Sequence, residues 1–131
     1  MERTLLIIKP DAVERNLIGK IISICEEKGF KIINIKMENL ARGKAESFYR
    51  VHKGKEFFEK LIDYITSGPI VALLLERENA ISVLRELVGS TDPKRARPGT
   101  IRFLYGIDIT KNSVHASDSK ESFEYEVKHF F

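Results

Sequence analysis

The sequence predicts an α/β or α+β sandwich, in which helices pack on a sheet. Short apolar runs of strand length alternate with apolar stripes at helical spacing along the 131 residues. Hydrophobic residues make up 43% of the chain and charged residues 31%, which excludes a disordered or low-complexity chain. No apolar run approaches the ~20 residues that span a bilayer. We therefore expect a single domain over residues 1–131 and no membrane association.

Four segments of strand length predict the sheet. The first is a buried apolar run that ends at Pro10, because proline biases the preceding residue towards extended geometry. The second is rich in isoleucine, the third is an apolar run introduced by Ser67 and Gly68, and the fourth is short. These predicted strands cover residues 4–9, 30–37, 69–75 and 112–116.

Five segments predict the helices that alternate with these strands. The first and fourth carry apolar stripes at helical spacing and stop at Gly29 and Gly89. The second and third form a pair that is broken near Gly54. The last begins at a predicted capping box, with Asp118 as the cap and Glu121 three residues later. These predicted helices cover residues 17–28, 45–51, 56–65, 80–88 and 119–129, and residues 90–100 form a long loop.

Composition limits the partners and the compartment. The formal net charge of +3 suits an anionic partner but does not distinguish nucleotides from nucleic acid. No block of Lys and Arg resembles a nucleic-acid-binding tail. The single cysteine, Cys25, excludes an internal disulfide framework and a multi-cysteine metal site. We therefore expect a cytoplasmic protein.

Glu126 falls within the apolar face of the last predicted helix, three residues after Phe123. A carboxylate that points at a core is costly unless it has a partner. Two interpretations remain open at this point: the side chain reaches solvent at the rim, or it accepts a hydrogen bond from a specific donor. His115, just before this helix, could be that donor and would then present its other nitrogen as a nucleophile. We interpret His52 and His129 as ordinary histidines.

Several cations could form a site for an anion, although each alone is more often a solvated surface charge. Lys9 ends a predicted buried strand, Arg85 stands near the end of a helix, and Arg102 follows the loop. Together with Thr91 they could neutralise a polyphosphate and donate hydrogen bonds to it. Neither G-x-x-x-x-G-K-[ST] nor G-x-G-x-x-G occurs, which excludes both standard glycine-rich phosphate loops.

Residues 112–119 read Asn-Ser-Val-His-Ala-Ser-Asp-Ser and closely resemble N-x-x-H-G-S-D-S, the active-site signature of the nucleoside diphosphate kinases. Further segments resemble this family in the same order and at the same spacing: Glu2-Arg-Thr, Lys9-Pro-Asp-Ala12, Phe57-Phe58, Ser67-Gly-Pro-Ile70 and Pro98-Gly-Thr-Ile-Arg102. The resemblance covers essentially the whole chain. It implies a ferredoxin-like sandwich, with a four-stranded antiparallel sheet covered by helices.

The resemblance also implies the reaction. The terminal phosphoryl group of a nucleoside triphosphate passes to a nucleoside diphosphate by a ping-pong mechanism through a phosphohistidine, with Mg²⁺ on the nucleotide phosphates. Broad base specificity is implied because stacking tolerates any base. No His, Cys and carboxylate set has the spacing of a dedicated metal site, so we expect Mg²⁺ to arrive with the nucleotide.

The resemblance implies the site residues of this chain by their positions in the sequence. In the implied catalytic set, His115 is the nucleophile and Glu126 orients its ring. That set comprises His115, Lys9, Tyr49, Asn112, Ser117 and Glu126. In the nucleotide-binding set, two arginines and a threonine contact phosphates, a lysine and an asparagine contact sugar hydroxyls, and an aromatic residue stacks on the base. That set comprises Lys9, Phe57, Leu61, Arg85, Thr91, Arg102 and Asn112.

The implied partners are nucleoside di- and triphosphates, without a membrane and without a requirement for nucleic acid. The resemblance further implies a homo-oligomer built from dimers, with a hexamer favoured over a tetramer. A competing hypothesis is a protein of the same fold that binds nucleotides or single-stranded nucleic acid without catalysis. Against it, every residue assigned to the chemistry is present.

The chain departs from the family pattern at four places. Ala116 stands where the signature has glycine, and Thr110 replaces another common glycine. Residues 103–105 read Phe-Leu-Tyr where the family usually has Gly-Asp-Phe, and the sequence stops sooner after the last helix than in many relatives. We expect the alanine to be tolerated. We expect the change at residues 103–105 to affect subunit contacts or loop dynamics more than chemistry, and the shorter C-terminal segment to affect subunit contacts.

Overall fold

The computed structural model describes residues 1–131. Along the chain the elements are β1 (Glu2–Ile8), α1 (Pro10–Glu14), α2 (Ile18–Glu27), β2 (Lys31–Glu38), α3 (Arg42–Phe48), α4 (Phe58–Ile65), β3 (Ile70–Arg77), α5 (Ala80–Val88), α6 (Ile101–Tyr105), β4 (Val114–Ala116) and α7 (Lys120–Val127). Two short 3-10 turns lie at Arg50–His52 and Pro93–Arg95. None of the helices combines the length and the apolar character needed to cross a bilayer.

The four strands form one antiparallel sheet in the order β2-β3-β1-β4, which is the ferredoxin-like α+β fold. β1 lies inside the sheet between β3 and β4. The short β4 pairs with the end of β1, so that His115 lies opposite Ile7. The other edge of the sheet is β2, whose register shifts between Ile32 and Asn34.

The two faces of the sheet carry separate apolar clusters because successive strand residues point to opposite sides. Leu6 and Ile8 of β1 pack with α2 and α5 on one face. Leu5 and Ile7 pack with α3, α4 and the C-terminal Phe130 on the other. His115 pairs with Ile7 and therefore faces the second layer, where α3, α4 and α7 meet.

The predicted strands are all present, with ends that differ by at most two residues, and the five predicted helices are present as well. The structure adds α1 and α6, which the sequence analysis did not predict. The predicted cap of α7 is wrong: Ser119, and not Asp118, is the cap, and its hydroxyl accepts from the backbone N–H of Ser122 at 3.1 Å.

Candidate active site

His115 and Glu126 lie side by side at the junction of β4 and α7. His115 Nε2 is 3.0 Å from Glu126 Oε1, and the side chain of Glu126 is only 13% exposed. The hydroxyl of Ser117, which is fully buried, donates to the same carboxylate oxygen at 2.6 Å. The structure therefore agrees with the second interpretation of Glu126, in which its carboxylate accepts a hydrogen bond from a specific donor.

This pairing determines which imidazole nitrogen is available for chemistry. An ionised carboxylate only accepts hydrogen bonds, so His115 Nε2 carries the proton and Nδ1 carries the lone pair. The ring is held edge-on by Phe48 at 5.2 Å and Tyr49 at 5.9 Å between ring centroids. The imidazole is thus fixed both in orientation and in tautomer.

Tyr49 is buried beside this histidine, and its hydroxyl has no hydrogen-bond partner within the chain. Burial, reinforced by the charge of Glu126, raises the pKa of Tyr49. The phenol is therefore a neutral donor at physiological pH, and a donor without a partner in a buried position fits the oxygen atoms of an anionic ligand.

Lys9 and Asn112 form a second buried pair. Lys9 follows β1, is 6% exposed, and donates from Nζ to Asn112 Oδ1 at 2.8 Å. Asn112 is buried as well, at 1% exposure, and its side-chain amide donates to the backbone carbonyls of Thr91 and Ile109 at 3.0 and 2.9 Å. Burial, together with the charge of Arg102, lowers the pKa of Lys9 to about 7.

The two arginines differ in burial. Arg102 is 4% exposed, and its terminal nitrogens donate to the carbonyls of Gly89 at 3.0 Å and Val114 at 2.8 Å, while Nε has no partner. Burial, followed by repulsion from Arg85, lowers the pKa of Arg102 to about 10. Arg85 is exposed and approaches the carbonyl of Ala116 at 3.4 Å. Arg102 is therefore anchored to the backbone and does not extend freely into solvent as a loop cation would.

The remaining predicted contacts lie at the rim. Phe57 precedes α4 and is 46% exposed, whereas Leu61 is half-buried against the second apolar cluster. Thr91 is exposed, and its backbone carbonyl rather than its side chain meets Asn112. The exposed aromatic ring is available for stacking, as the base-binding assignment requires.

His52, which the sequence predicts to be an ordinary histidine, lies beside two of the candidate site residues. Its ring stacks on Tyr49, with centroids 6.3 Å apart, and lies 5.2 Å from Phe57. Burial and the charge of Lys55 lower the pKa of His52. No sequence signal marked it, because its place depends on the 3-10 turn that follows α3. His129 bonds to Ser47 at 3.0 Å and packs on Phe48.

A cavity of about 560 Å³ is lined in part by Ile109 and Thr110, whose backbone carbonyls bond to Asn112 and Lys9. It lies between α4, which contributes Lys60 and Tyr64, and the segment 107–111, with Asp92 and Lys94 at its side. His115 is not among the residues that line this cavity. No group of three or more His, Cys, Asp and Glu side chains in the chain is arranged to hold a metal ion.

Residues 2–131 match the family model described as nucleoside diphosphate kinase. The chain belongs to the nucleoside diphosphate kinase family. It is 54% identical over 131 residues to the nucleoside diphosphate kinase of Hyperthermus butylicus, a match that covers 100% of this chain and 92% of that protein. The resemblance inferred from the sequence is thereby confirmed.

Solved nucleoside diphosphate kinases have the same fold. The Aquifex aeolicus enzyme superposes with a TM-score of 0.97 at 46% identity, over 99% of this chain and 94% of that one. The Halobacterium salinarum enzyme, solved in complex with CDP, gives 0.96 at 41% identity, over 99% and 87%. The chain is therefore a nucleoside diphosphate kinase, a phosphotransferase that acts on nucleoside di- and triphosphates.

The departures from the family signature have local explanations. Ala116 lies in β4 and is not among the residues with positive φ, so its methyl group causes no backbone strain. Thr110 contributes its backbone carbonyl, 3.4 Å from Lys9 Nζ, which any residue could supply. Phe103 and Leu104 are each 49% exposed on α6.

Proposed function

We propose that this nucleoside diphosphate kinase works by a ping-pong mechanism in which His115 carries the phosphoryl group between two half-reactions. The observation that carries the proposal is the 3.0 Å contact between His115 Nε2 and Glu126 Oε1, because it leaves the Nδ1 lone pair available. An imidazole oriented in this way by a carboxylate is an activated nucleophile.

In the first half-reaction the Nδ1 lone pair forms a bond to the terminal phosphorus as the bond from phosphorus to the bridging oxygen breaks. The electron pair of that bond leaves with the nucleoside diphosphate. The imidazole then carries both the phosphoryl group and the Nε2 proton, and Glu126 stabilises its positive charge. The second half-reaction reverses these steps with a different diphosphate, so one site serves both donor and acceptor.

Lys9, Arg85 and Arg102 are proposed to hold the phosphates, with Thr91 and the Tyr49 hydroxyl as further donors. The buried Tyr49 hydroxyl and Arg102 Nε support this proposal, since both lack a partner within the chain. Phosphoryl transfer depends on positioning and charge stabilisation more than on covalent assistance. Mg²⁺ enters as part of the nucleotide substrate, because the cleft is cationic and the phosphates supply its oxygen ligands.

The nucleoside is proposed to lie between the buried pair of Lys9 and Asn112 and the exposed ring of Phe57. Lys9 and Asn112 would contact the sugar hydroxyls, and Phe57, with Leu61 beside it, would stack on the base. Stacking is tolerant of base identity, and no side chain in this set is a dedicated reader of a base edge, which supports broad specificity. The CDP bound by the Halobacterium salinarum relative agrees with a nucleoside diphosphate as occupant.

Steady-state kinetics test the mechanism. With Mg²⁺-ATP as donor and each of several nucleoside diphosphates as acceptor, double-reciprocal plots should give parallel lines, and the acceptors should differ little in kcat/KM. His115→Ala should abolish turnover, whereas His129→Gln should retain it. Intersecting lines would contradict the covalent mechanism, and nucleotide binding without any turnover would favour the competing binding-protein hypothesis.

We further infer a homo-oligomer built from dimers. β2 is an edge strand with no partner on its outer side, and it exposes 49% of Ile35 and 57% of Met37; such edges are commonly covered by a second copy. A hexamer, favoured over a tetramer, would add contacts through residues 89–100. Light scattering should give a multiple of the 15.0 kDa chain, and a monomer at micromolar concentration would contradict the inference. The cytoplasmic location stays a prediction from the single, buried Cys25.

A further inference from the structure

Residues 107–111 form a closed turn organised around one carboxylate. Asp108 Oδ1 accepts from the backbone N–H of Thr110 at 2.9 Å and from that of Lys111 at 2.7 Å. The carbonyl of Lys111 in turn accepts from the backbone N–H groups of Ile107 and Asp108, at 2.8 and 3.3 Å. The side chain of Asp108 therefore bonds both N–H groups at the far end of the turn and fixes its shape.

This shape turns two backbone carbonyls towards the buried pair. The carbonyl of Ile109 accepts from Asn112 Nδ2 at 2.9 Å, and the carbonyl of Thr110 receives Lys9 Nζ at 3.4 Å. Lys9 and Asn112 also bond to each other at 2.8 Å. Both residues of the pair are thus held by carbonyls whose direction depends on the turn.

We propose that Asp108 is a positioning residue, which fixes the turn at residues 107–111 and thereby aims Lys9 and Asn112 at the sugar hydroxyls of the bound nucleotide. This inference rests on the proposed function, in which those two residues contact the sugar. Asp108 itself is exposed on the wall of the cavity beside the pair. It acts through the turn and does not touch the reacting atoms.

A role confined to fold stability does not account for this arrangement. Asp108 is exposed, so truncating its side chain opens no cavity in either apolar cluster. Ile107 and Ile109 of the turn are themselves exposed, and the carbonyls of the turn hold the side chains of the pair. Loss of the Asp108 side chain is therefore expected to disturb the positions of Lys9 and Asn112 but to change the global free energy of unfolding little.

The charge of Asp108 gives a second, separable effect on Lys9. It favours the charged ammonium and opposes burial and Arg102, which lower the pKa of Lys9. Asp11 acts in the same direction as Asp108. The other charged groups around the cavity are Lys60, Lys94, Lys111 and Asp92.

The test compares substrates as well as variants. For the full-length enzyme with Mg²⁺-ATP as donor, kcat/KM is measured for ADP and for 2′,3′-dideoxy-ADP, which lacks the hydroxyls that the pair contacts. In the wild type the hydroxyls should favour ADP by about 10-fold or more. Asp108→Ala should lower kcat/KM for ADP by about 10-fold, change that for dideoxy-ADP by less than about 2-fold, and so compress the ratio.

Asp108→Asn separates the turn from the charge. Its amide oxygen still accepts from Thr110 and Lys111, so the ADP preference should be restored to within about 2-fold of the wild type. Because the charge is lost, the pH below which ADP binding strengthens should move down relative to the wild type. Asp63→Ala, an exposed carboxylate on α4 that pairs with Arg42, is the matched control and should change neither quantity.

Failure of the inference is distinguishable from failure of the proposed function. A wild-type enzyme that transfers phosphate but shows the same ADP preference in Asp108→Ala would overturn the positioning role alone. Equal losses for ADP and dideoxy-ADP would also overturn it, because they would indicate a general structural defect. A wild type without phosphoryl transfer to either acceptor would instead overturn the function on which the inference rests.

Discussion

Binding of a nucleotide is expected to draw a proton onto Lys9. The free protein buries this ammonium group, and burial together with Arg102 lowers its pKa to about 7. The phosphates of a bound nucleotide place negative charge close to the proposed position of Lys9, and negative charge favours the protonated amine. Binding should therefore be coupled to proton uptake, and affinity should rise as the pH falls from about 9 towards 7.

The magnitude follows from the pKa in the free protein. At pH 8 a group with a pKa of about 7 carries about 0.1 proton, whereas a lysine at its ordinary value carries about 1. Binding at this pH should therefore take up about 0.9 proton per chain. The nucleotide phosphates are fully deprotonated at pH 8, and Arg102, with a pKa of about 10, stays charged, so neither contributes appreciably.

Isothermal titration of ADP with Mg²⁺ at pH 8 measures the uptake. The observed enthalpy is compared in HEPES and Tris, whose ionisation enthalpies differ, and the slope gives the number of protons exchanged. Lys9→Met should abolish the slope, whereas the exposed Lys53→Met should retain it. A slope near zero in the wild type would exclude proton uptake by Lys9, and a slope retained in Lys9→Met would place the proton on another group.

The remaining predictions concern Glu126, Ser113 and the effect of Lys9 on stability. Glu126→Gln should lower the rate of phosphoryl transfer by about 10-fold or more with little change in nucleotide affinity, because the charge that stabilises the phosphorylated imidazole is lost. Pre-steady-state kinetics measure this rate, with the exposed Glu124→Gln as control. An unchanged transfer rate would exclude the orienting role of Glu126. Ser113 is fully buried at φ +76°, so Ser113→Gly should raise the free energy of unfolding by about 1 kcal/mol in urea titrations, and a loss would mean that its contacts outweigh the strain. In the absence of nucleotide, the Lys9 amine stays protonated to a higher pH in the unfolded chain than in the folded chain. The destabilising effect of Lys9 on the fold is therefore fully present below pH 7 and fades as the pH rises. Lys9→Met should therefore raise the unfolding temperature more at pH 6 than at pH 9, and an equal or opposite change would contradict the lowered pKa.

The sheet could be predicted from the sequence because each strand carries a short apolar run with a clear boundary. Pro10 ended the first strand correctly, but it also occupies the first turn of α1, where proline is favoured. α1 and α6 have only five residues each, too few for a 3.6-residue period to be recognised. Their local start signals, Pro10 for α1 and the capping Thr100 for α6, do not by themselves predict a helix of this length.

The contacts among the candidate site residues could not be predicted from the sequence. Spacing left the partner of Glu126 open, since a strand end, a turn and a helix separate it from His115. Arg102 could be read only as a loop cation, because the carbonyls of Gly89 and Val114 that hold it leave no signature in the sequence. The turn organised by Asp108 was missed for the same reason: its function is exercised through backbone groups.

The central claim is that His115 Nδ1 carries the phosphoryl group. The most direct measurement is phosphorus and nitrogen NMR of the isotopically labelled protein after incubation with Mg²⁺-ATP and removal of nucleotides, with intact mass in parallel. We expect one phosphate per chain, attached to Nδ1 of His115, labile in acid and stable in base, and absent from His115→Ala. A phosphate on Nε2, on another residue, or retained in His115→Ala would contradict it.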